Sequence, residues 1–234
     1  MALRCKGCGS EERVKNGFMR GKQRYRCKAC GLNFTDTPPR GMPLRVKAAA
    51  VLLYVSGLSM NRTAKLLGVS TPSVQAWIER FAEAYAQKPE PEGRAVVVEL
   101  DEMWHHLKKK PNKLWGWKAR DRASGRVVDW ECGGRDRTTL ERLLARLKRW
   151  DPRLYCTDDW AAYAEAIPQG RLHVGKDETH GIERDHARQR HWLARFRRRS
   201  IVVSKAERMV DASIALYARF GGNDKIGDLA SMLT

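Results

Sequence analysis

The sequence lacks any apolar run of about 18 residues, which is the length that a membrane-spanning helix requires. It is also short of acidic residues: 27 Asp and Glu stand against 45 Lys and Arg, a formal net charge of +18 over 234 residues. The first residues already include Arg4, Cys5, Lys6 and Cys8, so we expect no signal peptide. These features exclude a membrane-spanning class and favour a cytoplasmic protein with a polyanionic partner, either nucleic acid or an acidic membrane surface.

The basic surplus is spread along the whole chain. Up to residue 94 there are 17 basic and 7 acidic residues, and beyond it there are 28 and 20. Both parts are therefore expected to contact phosphates. Apolar residues make up 42% of the chain and include eight Trp, which is enough to bury a core and argues against general disorder.

Four of the six cysteines fall in the first 30 residues, as the pairs Cys5–Cys8 and Cys27–Cys30. Two CxxC pairs separated by 18 residues match a Cys₄ zinc site, because each pair supplies half of a tetrahedron of thiolates. The segment between them predicts a short hairpin that turns near residues 17–21. We therefore predict a zinc ribbon over residues 1–36 that binds one structural Zn²⁺, with two disulfides as the alternative.

A Pro/Gly-rich linker follows at residues 35–43, and the pattern then becomes helical. Residues 45–56, 59–67 and 71–85 predict three helices, the last two joined by a turn at 68–70. Gly68 at the turn, and Ser70 and Pro72 at the start of the last helix, are typical of a helix-turn-helix. We predict this DNA-binding module over residues 44–88, with a helical hairpin that makes no groove contact as the alternative. Four side chains of the last helix are predicted to face a major groove: Thr71, Ser73, Gln75 and Arg80.

After a second boundary at residues 89–93, strand and helix patterns alternate. We predict strands at 95–104, 113–120, 126–132, 154–157 and 171–174, and helices at 138–150, 160–166, 179–199 and 204–220. Three antiparallel strands followed by alternating helices and strands is the ribonuclease-H-like order of elements. The predicted fold class is α+β multidomain, with a ribonuclease-H-like catalytic domain over residues 95–221 built on a mixed sheet and a tail at 222–234.

Three carboxylates fall at the ends or starts of these elements. Asp101 closes the first predicted strand of this domain, Asp158 closes the fourth, and Glu183 lies in the first turn of the basic helix. Converging carboxylates are costly unless a divalent cation neutralises them, and oxygen ligands alone select Mg²⁺ or Mn²⁺. The pattern predicts two such ions per site, placed to activate an attacking oxygen and stabilise a leaving one at phosphorus.

Taken together, these motifs resemble the transposases of the insertion-sequence-one family, bacterial enzymes of the DDE type. The resemblance covers nearly the whole chain: it includes the CxxC pairs, residues 23–27, 62–64, 68–69, 101–104, 157–160, 172–174, 182–184 and 193–195. It implies a zinc ribbon and a helix-turn-helix that bind the ends of a mobile element, followed by a catalytic domain. Asp159 stands where the family motif commonly has Gly, and alignment on Thr157 and Trp160 favours Asp158 as the ligand.

The resemblance also implies a catalytic Arg190, two helical turns after Glu183, and double-stranded DNA partners, both element ends and target. Because two ends must be synapsed, it implies at least a homodimer, in the bacterial cytoplasm at the nucleoid. We also predict DNA contacts from a set of arginines, in the ribbon and along the basic helix: Arg24, Arg26, Arg184, Arg188, Arg195, Arg197, Arg198 and Arg199. His180, His186 and His191 are interpreted as polar residues on the DNA side.

Two other functions explain parts of the pattern. A zinc-dependent transcriptional repressor accounts for residues 1–88 and leaves the three carboxylates without a role. A ribonuclease-H-like nuclease or resolvase shares the metals but has no evident need for two DNA-binding modules.

Overall fold

A computed structural model of the chain describes residues 3–37, 41–197, 204–221 and 226–233. The chain divides into two compact units, an N-terminal unit of residues 1–42 and a larger unit of residues 43–234. The larger unit contains both the predicted helix-turn-helix and the predicted catalytic domain.

The N-terminal unit is a three-stranded antiparallel sheet in the order β1-β2-β3. Its strands are β1 (Arg13–Met19), β2 (Lys22–Cys27) and β3 (Asn33–Thr35). The first two form the predicted hairpin, whose tight turn lies at Arg20 and Gly21, both with positive φ. Cys5, Cys27 and Phe34 make a small buried core, with Tyr25 packed against it.

The larger unit begins with three helices, α1 (Leu44–Val55), α2 (Met60–Leu67) and α3 (Thr71–Tyr85). Ser59 caps α2 by accepting a hydrogen bond from the N–H of Arg62, and Ser70 caps α3 by accepting one from Ser73. Gly68 ends α2 in the left-handed conformation at φ 64°, where a side chain would be strained. The bounds of the three predicted helices therefore agree with the structure to within one residue.

A five-stranded mixed sheet follows, in the order β6-β5-β4-β7-β8. Its strands are β4 (Val97–Leu107), β5 (Lys109–Asp121), β6 (Val127–Gly133), β7 (Leu154–Thr157) and β8 (Leu172–Val174). β4, β5 and β6 pair antiparallel, whereas β7 is parallel to β4 and β8 is parallel to β7. The predicted order of elements and the mixed sheet are confirmed.

The remaining helices lie along the chain as follows: α4 (Arg137–Leu147), α5 (Ala161–Ala166), α6 (His180–Trp192), α7 (Glu207–Phe220) and α8 (Ile226–Ser231). One core packs Leu140, Leu143 and Tyr163 of α4 and α5 against the sheet. The other core is shared by α1, α3 and α7, so the helix-turn-helix is built on the hydrophobic surface of α7. Among the described residues, no helix is long and apolar enough to cross a membrane.

Two predicted elements differ from the structure. The basic helix expected over 179–199 ends at Trp192, because Leu193 turns to an extended conformation (φ −100°, ψ 114°) and a 3₁₀ turn (Ala194–Phe196) follows. The break lets Leu193 and Phe196 enter the core beside α7, and burial of these side chains outweighs the continuation of the helix. The segment predicted as a tail contains α8, whose Leu229 is fully buried.

Candidate active site

Asp101 lies in the interior of β4, the central strand of the sheet, so the prediction that it ends its strand is wrong; Asp158 directly follows the end of β7. β4 and β7 run parallel with Val97 opposite Leu154 and Glu99 opposite Cys156. Continuing this register by two residues places Asp158 directly beside Asp101, and neighbouring strands lie about 4.8 Å apart. Both side chains are half-buried. The parallel pairing therefore brings together two carboxylates that are 57 positions apart in the sequence.

Alternation along β4 determines which carboxylate faces this site. Asp101 shares a sheet face with Glu99, whereas the adjacent Glu102 lies on the opposite face and accepts hydrogen bonds from Tyr163 (3.0 Å) and Arg135 (2.6 Å). Burial, followed by the charge of Asp101, raises the pKa of Glu102. Glu102 is thus a structural partner of α5, and Asp101 is the residue of this pair available to the site.

Helix α6 supplies the third predicted carboxylate, Glu183, in its exposed first turn. The helix approaches the sheet closely because Gly181 lies directly on the ion pair between Glu99 and Arg120, where a Cβ would overlap both side chains. Among the described residues, the oxygens of Asp101, Asp158 and Glu183 do not all come within 4.8 Å of one another. The structure pairs the two aspartates by register and leaves Glu183 on the helix beside them.

His186, one turn after Glu183, contacts the first aspartate. Its ring Nδ1 lies 3.0 Å from Oδ2 of Asp101, and the side chain is 5% exposed. The other carboxylate oxygen, Oδ1, accepts a hydrogen bond of 2.8 Å from the N–H of Glu102. The interpretation of His186 as a DNA-facing residue is therefore wrong, and helical periodicity from Ile182 (i, i+4) was the available signal that it is buried.

A buried lysine, Lys118, lies beside Asp101 on the neighbouring strand. Lys118 is the cross-strand neighbour of Asp101 on β5 and is 1% exposed. Its Nζ forms an ion pair with Asp185 and donates a hydrogen bond of 2.8 Å to Gln189, both on α6. Burial lowers the pKa of Lys118, while the charge of Lys118 offsets the effect of burial on Asp185 and brings the pKa of that carboxyl below 3.8. This pair fixes α6 against the sheet at the level of the site.

The adjacent aspartates differ in environment. Asp158 is half-buried and its Oδ1 accepts a hydrogen bond of 3.2 Å from the N–H of Trp160, whereas Asp159 is exposed. Trp160 itself packs in the core, 5.2 Å from the ring of Trp117. Register and burial both favour Asp158 over Asp159 as the partner of Asp101.

The predicted basic residues of this region lie in several places. Arg184 and Arg188 are exposed on α6, Arg190 is half-buried two turns after Glu183, and Arg197 is exposed beyond the helix. Arg195 is 6% exposed and is buried in the 3₁₀ turn that follows α6. It therefore does not belong to the exposed helix face that the sequence predicts. Arg198 and Arg199 lie outside the described residues.

The predicted groove-facing residues of α3 divide between two sides of the helix. Ser73 and Arg80, seven positions apart, share one side. Thr71 and Gln75, four positions apart, lie on the side where Glu79 forms an ion pair of 2.9 Å with Arg208 of α7. In the N-terminal unit, Arg26 is exposed and Arg24 is half-buried, donating a hydrogen bond of 2.9 Å to the carbonyl of Asn16.

The four N-terminal cysteines form one cluster, with all four Sγ atoms within 4.8 Å of one another. Sγ of Cys5 lies 3.5 Å from that of Cys30, and Sγ of Cys8 lies 3.6 Å from that of Cys27. These separations are too long for disulfides and close to the edge of a tetrahedron with metal–sulfur bonds of about 2.3 Å. Hydrogen bonding by the backbone of Cys8 lowers the pKa of the Cys5 thiol to about 6, which favours a thiolate. The donor set fits Zn²⁺.

The structure thus combines a helix-turn-helix with an α/β domain whose mixed sheet carries Asp101 on its central strand and Asp158 just after the neighbouring parallel strand. That combination describes a nucleic-acid-directed protein. Residues 95–220 match the family model of the IS1 transposases, and residues 42–87 match that of a homeodomain-like domain. The chain belongs to the IS1 transposase family and is therefore a DNA-binding protein of DNA transposition.

Similar proteins include the insertion element IS1 protein InsB of Shigella flexneri, 37% identical over 123 residues, which are 52% of this chain and 93% of the relative. The insertion element IS1 2 protein InsB of Escherichia coli K12 is 36% identical over 123 residues, 52% of this chain and 73% of the relative. Among solved structures, the catalytic core domain of BIV integrase aligns at 14% identity and a TM-score of 0.37, covering 60% of this chain and 99% of that one.

Proposed function

We propose that this chain binds the ends of its own insertion sequence and catalyses metal-dependent strand cleavage, followed by attack of the freed 3′-hydroxyl on target DNA. The observation that carries the proposal is the register of β4 and β7, which makes Asp101 and Asp158 neighbours inside the segment that matches the IS1 transposases. Glu183 lies in the same segment, on the helix that contacts Asp101.

Asp101, Asp158 and Glu183 would hold the divalent cations, two per site, and their oxygen donors suit Mg²⁺ or Mn²⁺. Bound cations of this kind activate the attacking oxygen and stabilise the leaving one. The chain contributes position and charge: His186 and the N–H of Glu102 orient the two oxygens of Asp101. Arg190, further along the same helix, holds the scissile or target phosphate.

Recognition of the ends is assigned to the modules before residue 88. We propose that the ribbon (residues 1–36, with one Zn²⁺ on its four cysteines) and the helix-turn-helix (residues 44–88) select the element end. Arg24 and Arg26 contact backbone phosphates, and Ser73, Arg80, Thr71 and Gln75 contact the DNA beside α3. Arg184, Arg188 and Arg197 would follow the backbone near residues 95–221, and synapsis of two ends requires at least a homodimer.

The test is a cleavage and strand-transfer assay with a labelled duplex that carries the inverted repeat flanking the coding region, in Mg²⁺ or Mn²⁺. Asp101→Asn, Asp158→Asn and Glu183→Gln should each abolish both steps and leave end binding within about two-fold, because base recognition lies elsewhere. Asp159→Asn is the matched control and should retain activity.

The assay also separates the alternatives. A repressor would bind the repeat and leave it intact, whereas a nuclease would nick duplexes without regard to the repeat. Strand transfer by all three carboxylate variants would contradict the proposed mechanism. An inactive Asp159→Asn beside an active Asp158→Asn would reverse the assignment of the two aspartates.

A further inference from the structure

A cavity of about 640 Å³ lies between the helix-turn-helix and the start of α7. Residues of α2 and α3 line one side, and Arg195, Lys205 and Arg208 line the other. All of these residues belong to the larger unit. Of these three cations, Arg208 is paired with the carboxylate of Glu79 at 2.9 Å, whereas Arg195 and Lys205 have no carboxylate partner among the described residues.

Arg195 is the unusual member of this lining. The residue is 6% exposed, and its guanidinium donates hydrogen bonds only to neutral hydroxyls among the described residues, to Tyr54 (3.0 Å) and to Ser204. A buried cation normally has a carboxylate partner, because removal of a charge from water is otherwise expensive. Here the described part of the chain supplies no such partner.

The histidine next to this arginine is neutral and adds no second positive charge. Nε2 of His105 lies 2.7 Å from Oγ of Ser204. The same hydroxyl accepts a hydrogen bond from the guanidinium of Arg195. Burial, together with the charges of Arg195 and His106, lowers the pKa of His105 to about 4, so the ring is neutral at pH 7. Arg195 thus lines the cavity with no carboxylate partner among the described residues.

The start of α7 also lies at this cavity. The lining includes Ala206, the residue that precedes α7, beside the first turns of α2 and α3, which Ser59 and Ser70 cap. No side chain caps the start of α7. Unpaired N–H groups at a helix start carry partial positive charge and bind anions, phosphate above all.

We propose that this cavity binds a phosphodiester group of the DNA that α3 recognises, with Arg195 and Lys205 as its cationic ligands. The inference rests on the proposed function for its source of phosphate, because the cavity lining includes Thr71 and Gln75, two of the α3 residues to which we assign DNA contacts. The DNA backbone would then be held between the recognition helix and α7, which makes the contact a link between end binding and the catalytic domain.

The first arm of the test measures anion binding by the full chain without DNA. Thermal unfolding is followed in inorganic phosphate from 1 to 50 mM (about a 50-fold range), at constant ionic strength set by chloride. The melting temperature of the wild type should rise with the logarithm of phosphate concentration, as for any ligand of the folded state. Arg195→Gln, which keeps a hydrogen-bonding group but removes the charge, should lose that rise.

Because Arg195→Gln could fold poorly, exposed Lys205 provides a second variant. Lys205→Ala should fold as the wild type and show a weaker response to phosphate, and Lys148→Ala, an exposed lysine outside the cavity, should respond as the wild type. Melting temperatures that do not depend on phosphate in the wild type, or an equal response in Lys205→Ala and Lys148→Ala, would overturn the site.

The second arm identifies the source of the phosphate. The Kd of a fluorescent duplex of about 30 base pairs is measured at several salt concentrations, and log Kd is plotted against log [NaCl]. Loss of one phosphate contact should reduce the slope by about 0.9 in Lys205→Ala, and Lys148→Ala should keep the slope of the wild type. Phosphate binding without this change of slope would mean that the anion is not DNA, and the proposal would fail.

Neither arm measures cleavage or strand transfer. A chain that binds phosphate and DNA through this cavity but joins no ends would contradict the proposed function alone. A chain that joins ends while Lys205→Ala behaves as the wild type in both arms would contradict only the cavity.

Discussion

The imidazole of His186 lies against Asp101, with Nδ1 3.0 Å from Oδ2 of the carboxylate. A carboxylate accepts hydrogen bonds, so the ring donates from Nδ1, and burial lowers the pKa of His186 and keeps it neutral. Nε2 then has no partner among the described residues, which is an unusual cost for a buried polar atom. The cost is explained if the role of the ring is to hold the carboxylate of Asp101.

We expect His186→Ala to reduce strand transfer by about 100-fold, because displacement of a metal-binding carboxylate by about 1 Å has effects of that size. Binding of the element end should stay within about two-fold of the wild type. His186→Asn, whose amide N–H can replace Nδ1, should recover part of the rate. His180→Ala, an exposed histidine at the start of the same helix, is the matched control. Equal rates for the two alanine variants would argue against orientation by His186.

Removal of zinc should unfold the N-terminal unit and spare the larger one. The small core of Cys5, Cys27 and Phe34 cannot stabilise 42 residues without the metal. Metal analysis should give one Zn²⁺ per chain, and Cys27→Ser should lose both the metal and end selection. Cys156→Ser, which changes a buried cysteine of the sheet, should keep the metal. Natively purified protein without zinc would contradict the ribbon assignment.

The sequence predicted the order of elements because each element carries a local signal. Ser70 and Pro72 mark the start of α3, and β7 was predicted with the bounds that the structure has. The parallel pairing of β4 with β7, which continues toward Asp101 and Asp158, also followed from the predicted order of elements, although β4 runs on to Leu107 and does not end at Asp101 as predicted. The clustering of the four N-terminal cysteines followed from the spacing of the two CxxC pairs alone.

Features that depend on tertiary packing were not predictable in this way. The predicted helix over 179–199 is too long because the arginines that suggested it continue past Trp192. The helix ends there because Leu193 and Phe196 are buried in the core, which the local sequence does not reveal. The contacts of Arg195 and His186 have the same origin. Both are polar residues whose partners, Tyr54 and Asp101, lie more than 80 positions away, and periodicity gives no information on contacts of that range.

Gly181 should be sensitive to the smallest substitution. A Cβ at this position would overlap the carboxylate of Glu99 and the guanidinium of Arg120, so Gly181→Ala must displace α6 or break the ion pair. We expect a loss of about 1–3 kcal/mol in the free energy of unfolding, together with a loss of strand transfer, because α6 carries Glu183 and His186.

Urea unfolding and the strand-transfer assay together check the Gly181 prediction. Gly227→Ala, a helical glycine of α8 with open space around its Cβ position, is the control and should be neutral or slightly stabilising. If Gly181→Ala were as stable and as active as Gly227→Ala, close packing of α6 on the sheet would not be what positions its side chains.

The buried pair of Lys118 and Asp185 should behave as a unit. Lys118→Met leaves Asp185 as an uncompensated carboxylate that is largely removed from water, and loss of one partner of a buried pair costs about 3–5 kcal/mol. The double variant Lys118→Met/Asp185→Leu removes both charges and should regain most of that loss, measured by urea unfolding. The exposed pair of Arg137 and Glu141 provides the comparison, and Arg137→Met should leave stability unchanged because solvent screens that charge.

A double variant no more stable than Lys118→Met would show that the damage is a packing defect at position 118. Recovery of stability with continued loss of strand transfer would instead assign the pair to the placement of α6 beside Asp101.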